Sequence, residues 1–375
     1  MPLEAGIKDS VRSAKISLLK MILDRPVGGS GVTSVDVIVV DLSTADGRAA
    51  FGFSYSLGGE GALVLHAAES LLRRFVIGQP ISHPEAAARI MSSSLNRIGG
   101  GVHRLAMCAI DVALWDLWSG LHGLSVGQAM GGLHRRVPVY GSGGFNTVQS
   151  AAEAAETADE HVLAGFAAVK PRLTGKPSDF AVLDAVAKQI GESIGIMLDA
   201  NEKCALEEAM RLKSAALEHK ALFLEEPLPA HDLEGYRQLR MSPGVPIATG
   251  EHLQGLVEAR PMISEAICAV IQPDLAAMGG LTECLRVARF AEAHGISVTP
   301  HFLPQIFIHL AAASPAVTWL EDFPLLEPLF SEAPQYDVQG GLMPGPEVIG
   351  LGFDILPEQR AKFCEASVTV DTGQP

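Results

Sequence analysis

Five polar residues recur along the second half of the chain at nearly even steps, each closing a short apolar run. They are Asp199 in GIMLDAN, Glu225 in LFLEEP, Glu251 in PIATGE, Asp274 in AVIQPD and His301 in ISVTPH. The intervals are 26, 26, 23 and 27 residues. A strand of about five residues, a crossover helix of ten or more and two short loops fill such an interval, which is the unit of a parallel βα repeat. Repeats of this kind close into a barrel whose strand ends gather polar residues at the C-terminal mouth, where barrel chemistry sits.

Eight strand candidates alternate with helical stretches from Arg135-Arg136-Val137 onward. They cover residues 137–142, 167–172, 195–201, 222–227, 246–251, 269–274, 296–301 and 318–321, and the helix after the eighth is poorly marked. A barrel takes about 250 residues, so a chain of 375 has room for a second module. Residues 1–135 read differently. Strand-like alternation at 35–42 and 49–55 flanks the turn signal Ala45-Asp46-Gly47, and helical periodicity follows over 61–77, 84–94 and 101–121. Strands followed by helices, without alternation, make an α+β module. Asp111 and Asp116 on the last of these helices read as surface or subunit-contact charges. The tail from 341 to 375, with a strand candidate at 367–370, is expected to fold back on this module.

With 28 Lys and Arg against 43 Asp and Glu, the formal charge of −15 argues against nucleic acid or an anionic membrane as partner. Cys108, Cys204, Cys268, Cys284 and Cys364 are odd in number and lack CxxC spacing, which indicates neither a disulfide framework nor a zinc knuckle. The apolar stretch at 18–23 is interrupted by Lys20 and followed by Asp24 and Arg25, unlike a signal peptide. No uninterrupted apolar run is long enough to span a bilayer. A cytoplasmic homo-oligomer is the expectation.

The strand ends carry the chemistry. Asp199, Glu225 and Glu251 on adjacent strands would converge on a hard divalent cation, and all-oxygen ligation suits Mg²⁺. Asn201 could support the metal or its water, whereas Glu226 should point the other way by strand alternation. His301 moves protons near neutral pH, with Asp274 able to hold one ring nitrogen. Glu321, ending the eighth strand in TWLE, could donate a hydrogen bond to a developing oxyanion if its site raises its pKa. Lys170 and Arg172 stand at i and i+2 of strand two, on one face, where cations bind a substrate carboxylate and a desolvated lysine can act as a base.

Taken in order, the helix AIDVALWDLWSGLHG, the entry GGLHRRVPVYGSGG and the motifs VKPR, LDAN, EEP, GEH, QPD, TPHF and WLE cover nearly the whole chain. The series resembles the enolase superfamily and, within it, the mandelate racemase group. The resemblance implies an α/β fold: a modified TIM (β/α) barrel, residues 136–340, under an N-terminal α+β capping domain, residues 1–135, completed by the tail from about 341 to 375. It also implies an essential Mg²⁺ held by Asp199, Glu225 and Glu251, an Asp274–His301 dyad, Glu321 as electrophilic acid and Lys170 facing the substrate carboxylate. Specificity would come from the capping-domain loops at 26–33 and 53–59, whose glycines fit a mobile lid.

One departure narrows the reaction. The racemases of this group carry K-x-K where this chain has K-x-R, and arginine, with a pKa above about 12, is a poor base. Racemisation needs a base on each face of the carbanion. The expectation is therefore a Mg²⁺-dependent dehydratase acting from the His301 face: α-proton abstraction from an acid sugar through a metal-stabilised enediolate, giving a 2-keto-3-deoxy acid. The alternatives are a racemase or epimerase of a 2-hydroxy acid, a lactone isomerase, or a barrel that binds metal and ligand without turnover. Muconate cycloisomerase and its relatives carry a lysine on strand six, where this chain has Asp274.

Overall fold

The computed structural model describes residues 10–29, 31–345 and 347–373. The chain opens with a long antiparallel sheet of β1 (Val11–Val27), β2 (Val32–Thr44) and β3 (Ala49–Leu57), to which the C-terminal strand β14 (Cys364–Asp371) adds in the order β14-β1-β2-β3. Helices α1 (Gly61–Phe75), α2 (Pro84–Ser94) and α3 (Val102–His122) follow, then the short α4 (Val126–Ala129). The sheet is buried on both faces. Ile16, Leu18, Ile38 and Val40 pack with Leu72, Met107 and Ile110 of the helices, whereas Leu19, Val37, Phe53 and Tyr55 belong to the core shared with the barrel. Double burial explains why β1 lacks the clean period of two that marks a strand in a sequence: Leu18 and Leu19, adjacent in the chain, are both inside. At Gly52 a Cβ would lie 2.2 Å from the Ala113 nitrogen, so only glycine lets β3 approach α3 this closely.

The eight barrel strand positions are all occupied, by segments shorter than the sequence pattern suggests. They are β4 (Val137–Gly141), β5 (Ala168–Val169), a third strand in two pieces, β6 (Gly195–Ile196) and β7 (Leu198–Asp199), then β8 (Leu224–Glu225), β9 (Ile247–Thr249), β10 (Val270–Ile271), β11 (Ser297–Val298) and β12 (Leu320–Asp322). All pair in parallel, β12 closes onto β4, and a bridge between Val298 and Val317 joins the last two strands. Around them lie α5 (Ala151–Leu163), α6 (Pro177–Ile190), α7 (Leu206–Glu218), α8 (Leu233–Met241), α9 (Leu256–Ser264), the one-turn α10 (Leu275–Met278) with α11 (Leu281–Ala293), and α12 (Pro304–Ala313). Among the described residues, β12 is followed only by a 3-10 turn at Glu327–Leu329, β13 (Gly341–Leu342) antiparallel to β4, and α13 (Pro357–Phe363), which leads into β14. Inside the barrel, below the mouth, Tyr140, Ala168, Met197, Phe223, Ala248 and Val270 form a separate apolar cluster.

Asp111 and Asp116 are not the surface charges expected. Asp111 is fully buried and accepts bonds from the Thr282 backbone nitrogen at 2.9 Å and its hydroxyl at 2.6 Å, which ties α3 to the barrel. Burial pushes its carboxyl up to about 7. Asp116, half-buried, accepts from the backbone nitrogens of Phe51 and Leu351 at 3.1 and 3.0 Å. Both aspartates satisfy backbone donors that packing would otherwise strand. No helix among the described residues is long and apolar enough to cross a membrane.

Candidate active site

Every residue singled out at the strand ends lies in one mouth, and most of the side chains are sequestered from water. In-register pairing of β7 with β8 sets Asp199 beside Glu225. Asp199 accepts from Arg172 Nη1 at 2.5 Å and from the backbone and side-chain nitrogens of Asn201 at 2.8 and 3.0 Å, and Arg172 Nη1 also reaches Asn201 Oδ1 at 2.8 Å. Lys170, only 1% exposed, donates to both Glu225 oxygens at 2.8 and 2.7 Å and stands 2.8 Å from Glu321. Gln272 Nε2 adds a 2.7 Å bond to Glu225. Glu251 follows β9, with an oxygen 3.5 Å from His301 Nε2. The other ring nitrogen of His301 is 2.9 Å from Asp274 Oδ2, while Asp274 Oδ1 caps α10 by accepting from Ala277 N at 2.8 Å. That cap fixes the carboxylate that orients the ring.

The backbone is turned sharply where the strands end. Asn201, Glu202, Glu226, Phe302 and Leu303 have φ between 35° and 61°, a left-handed region unfavourable for side chains with a Cβ. Strain of this kind persists where surrounding structure over-determines it, as at functional sites.

The electrostatics test the expected metal. Burial pushes Glu225 up to about 8 against the pull of Lys170, and Asp199, Glu321 and Glu251 add to the rise. Burial likewise lifts Glu251 to about 7 although His301 pulls it down. The mouth thus holds more carboxylate charge than its own cations balance. Three carboxylates on consecutive strands, Asp199 and Glu225 buried and Glu251 half-buried, fit a hard divalent cation such as Mg²⁺. The donors are not gathered on one point, because Asp199 is turned to Arg172, Glu225 to Lys170 and Glu251 to His301. The tightest acid–histidine group among the described residues is instead Glu202, Glu226 and His252, whose ligand atoms lie within 4.8 Å of one another. Glu226 is fully buried and accepts from His252 Nδ1 at 2.8 Å, a different set of partners from the Lys170 and Gln272 that hold Glu225.

The partners of Glu321 and Lys170 bear on the roles expected of them. Burial alone would raise Glu321, but Lys170, His301 and the 2.6 Å bond from Ser142 Oγ hold it down to about 2. Its other partner, Phe302 N at 3.0 Å, is also a donor. Lys170, Ser142 and Phe302 N are all donors, so in this arrangement Glu321 stands as an acceptor, where a hydrogen-bond donor to an oxyanion was expected. Lys170 is no free base either: burial disfavours its charge, yet Glu225 and Glu321 outweigh that and raise it well above the ordinary lysine range. Arg172 is raised too, burial being outweighed chiefly by Asp199. For His301, burial is outweighed by Glu251 and by the bond to Asp274, which lift it to about 10.

The loop between β1 and β2 covers the mouth. Gly28 and Gly29 join Arg172, Asn201, His301 and Phe302 around a cavity of about 270 Å³, while Ser30 falls outside the described residues. A second cavity of about 410 Å³ also meets His301 and is bounded by Tyr55, Leu57, His252 and Asp274. Tyr55, Ser142, His252 and Gln272 went unassigned in the sequence. Gln272 and Ser142 sit in the strand-end motifs IQPD and YGS, so position alone could have flagged them.

Residues 24–131 match the mandelate racemase / muconate lactonizing enzyme N-terminal domain, and residues 151–359 match the enolase C-terminal domain-like family. The chain is 31% identical over 371 residues to the L-talarate/galactarate dehydratase of Salmonella typhimurium, spanning 94% of this chain and 90% of that protein. It is 29% identical over 290 residues to a 3,6-anhydro-alpha-L-galactonate cycloisomerase of Streptomyces coelicolor, spanning 76% and 80%. The crystal structure of the Salmonella typhimurium LT2 enzyme liganded with Mg and L-lyxarohydroxamate superposes with a TM-score of 0.90 at 27% identity, covering 99% of this chain and 97% of that one. Two matched domains, a relative alike over nearly its whole length and a capped barrel with acidic strand ends agree: the chain belongs to the mandelate racemase/muconate lactonizing enzyme family of the enolase superfamily.

Proposed function

We propose that this chain is a Mg²⁺-dependent hydro-lyase that removes water from an acid sugar, a 2,3-dihydroxy carboxylate, to give a 2-keto-3-deoxy acid. The observation that carries it is the asymmetry of the mouth. His301 presents Nε2 toward the cavity with Nδ1 held by Asp274, whereas Lys170 and Arg172 are both locked as cations by carboxylates. In this arrangement His301 too is held as a cation, by Glu251 and Asp274; an imidazole freed of Glu251 can take a proton, whereas the Arg172 guanidinium keeps its charge whatever its partners and can only bind and orient.

Asp199, Glu225 and Glu251 would hold the metal, with Asn201 supporting Asp199. When bound, a divalent cation supplies the positive charge that offsets the second negative charge on the substrate carboxyl group as its α-proton leaves, and it relieves Glu251's hold on His301. His301 Nε2 takes the α-proton, and Asp274 stabilises the imidazolium that results. The same nitrogen returns that proton to the 3-hydroxyl as the C3–O bond breaks, so water leaves and the enol product rearranges to the ketone. Lys170 and Arg172 bind the substrate carboxylate and a neighbouring hydroxyl. Glu321 holds Lys170 in place.

Support also comes from the relatives, which include a sugar-acid dehydratase alike over 90% of its length. Residues 1–135 with the tail from 341 would form the capping domain and 136–340 the barrel. A cytoplasmic homo-oligomer accords with five unpaired cysteines and with the exposed Leu133, Val148 and Leu163. Incubating an acid-sugar library with the enzyme and Mg²⁺ and assaying 2-keto acids tests the reading. Dehydration of at least one sugar acid is expected; none, with Mg²⁺ demonstrably bound, would refute it.

A further inference from the structure

The Asp274 carboxylate that holds His301 is itself held from outside the barrel. Tyr55, near the end of β3 in the capping sheet, places its hydroxyl 2.5 Å from Asp274 Oδ2, the same oxygen that lies 2.9 Å from His301 Nδ1. The two residues are 219 positions apart. Tyr55 is 4% exposed, and its ring packs against Phe302 at 5.0 Å between centroids, with Phe302 in turn 4.8 Å from the His301 ring. Burial and the neighbouring Asp274 push the phenol well above its usual range, so it keeps its proton and donates. Asp274 therefore accepts three hydrogen bonds, one from each neighbour that fixes its orientation: Ala277 N on Oδ1, and Tyr55 and His301 on Oδ2.

We infer that Tyr55 is a positioning residue for the proton-moving dyad, supplied by the capping domain, so that the dyad takes its working geometry only when the capping sheet is seated on the barrel. A carboxylate held on one oxygen by a helix start can still twist about its own axis. The Tyr55 hydroxyl removes that freedom and shares the Oδ2 charge with the imidazole, which sets both the direction and the strength of the pull on Nδ1–H. Recognition of substrate by the cap and readiness of the base are thereby joined through one hydroxyl.

The inference rests on His301 acting as the base in the proposed dehydration, and the test separates the two. Tyr55→Phe keeps the ring on Phe302 and removes only the hydroxyl. We expect kcat to fall roughly ten- to a hundredfold with KM changed less than about twofold. A double variant with Asp274→Asn should be no slower than Asp274→Asn alone, because Tyr55 acts through Asp274. Independently of any substrate, the downfield proton resonance of His301 Nδ1–H should move further downfield in Tyr55→Phe as Asp274 Oδ2 loses its second donor. Ring-fluorinated tyrosine at position 55, a stronger donor of the same shape, should move it the other way and serves if the Phe variant does not fold. Additive losses of kcat, or a resonance unmoved by both changes, would overturn the inference. A wild-type protein inactive on every sugar acid would refute the dehydratase reading while leaving the resonance to decide on Tyr55.

Discussion

Arg172 is the residue on which the direction of the chemistry turns. Its guanidinium is buried, lies 5.4 Å from the Phe323 ring centroid and is bonded to Asp199 and Asn201, a fixed geometry that suits a clamp and not a proton shuttle. Arg172→Lys would place an ammonium there that can lose its proton. Dehydration should weaken while slow α-proton exchange from the second face appears, seen as deuterium entering recovered substrate in D₂O. At the opposite face, His301→Asn should abolish turnover and leave Mg²⁺ binding and the melting temperature nearly unchanged; surviving activity would show that His301 is not the base. Among single residues, those at strand ends were legible in the sequence because a barrel mouth collects whatever follows each strand. Tyr55 was not, because its partner lies in another domain. Nor was the acceptor role of Glu321, which depends on Lys170 being wedged between two carboxylates.

Between β1 and β2, the turn lies directly on the site. A Cβ at Gly29 would fall 1.7 Å from Asn201 Oδ1, so the loop seats only because that position is bare. Gly29→Ala should lift the loop and raise KM roughly tenfold with little change in melting temperature, since loop closure, not the core, is disturbed. Helix α12 offers a separate test by pH. His309, 1% exposed, accepts from Gly127 N at 3.2 Å, and its other nitrogen donates to the Leu351 carbonyl at 3.0 Å. Burial pushes its pKa down from 6.5 to about 4. With the folded value below the unfolded one, its contribution is present above 6.5 and is lost as pH falls toward 4, an effect of roughly 3 kcal/mol. In His309→Gln, melting temperature should therefore depend less on pH across that window than in wild type; equal slopes would refute it. The sequence marked the helices of the N-terminal module closely, for amphipathic periodicity survives one buried face. It hid β1, where burial on both faces erased the alternation.

For the molecule as a whole, the capped barrel leaves its acidic mouth short of positive charge. Mg²⁺ should raise the melting temperature by binding the folded form alone, and Glu225→Gln should diminish that rise. Chelation with EDTA should remove activity, and Mg²⁺ should restore it. The two-part architecture and the ring of strand ends were readable from the spacing of polar residues. The way the sheet's second face closes the site was not, because it arises from packing between modules and not from any local pattern. Dehydration from one face of the substrate is the property on which the proposed function stands. Its most direct measurement is proton NMR of the wild-type enzyme with Mg²⁺ and a turned-over acid sugar in D₂O. A 2-keto-3-deoxy acid should accumulate, with recovered substrate of unchanged configuration at Cα. Deuterated substrate of inverted configuration, with its 3-hydroxyl retained and no keto acid formed, would contradict it.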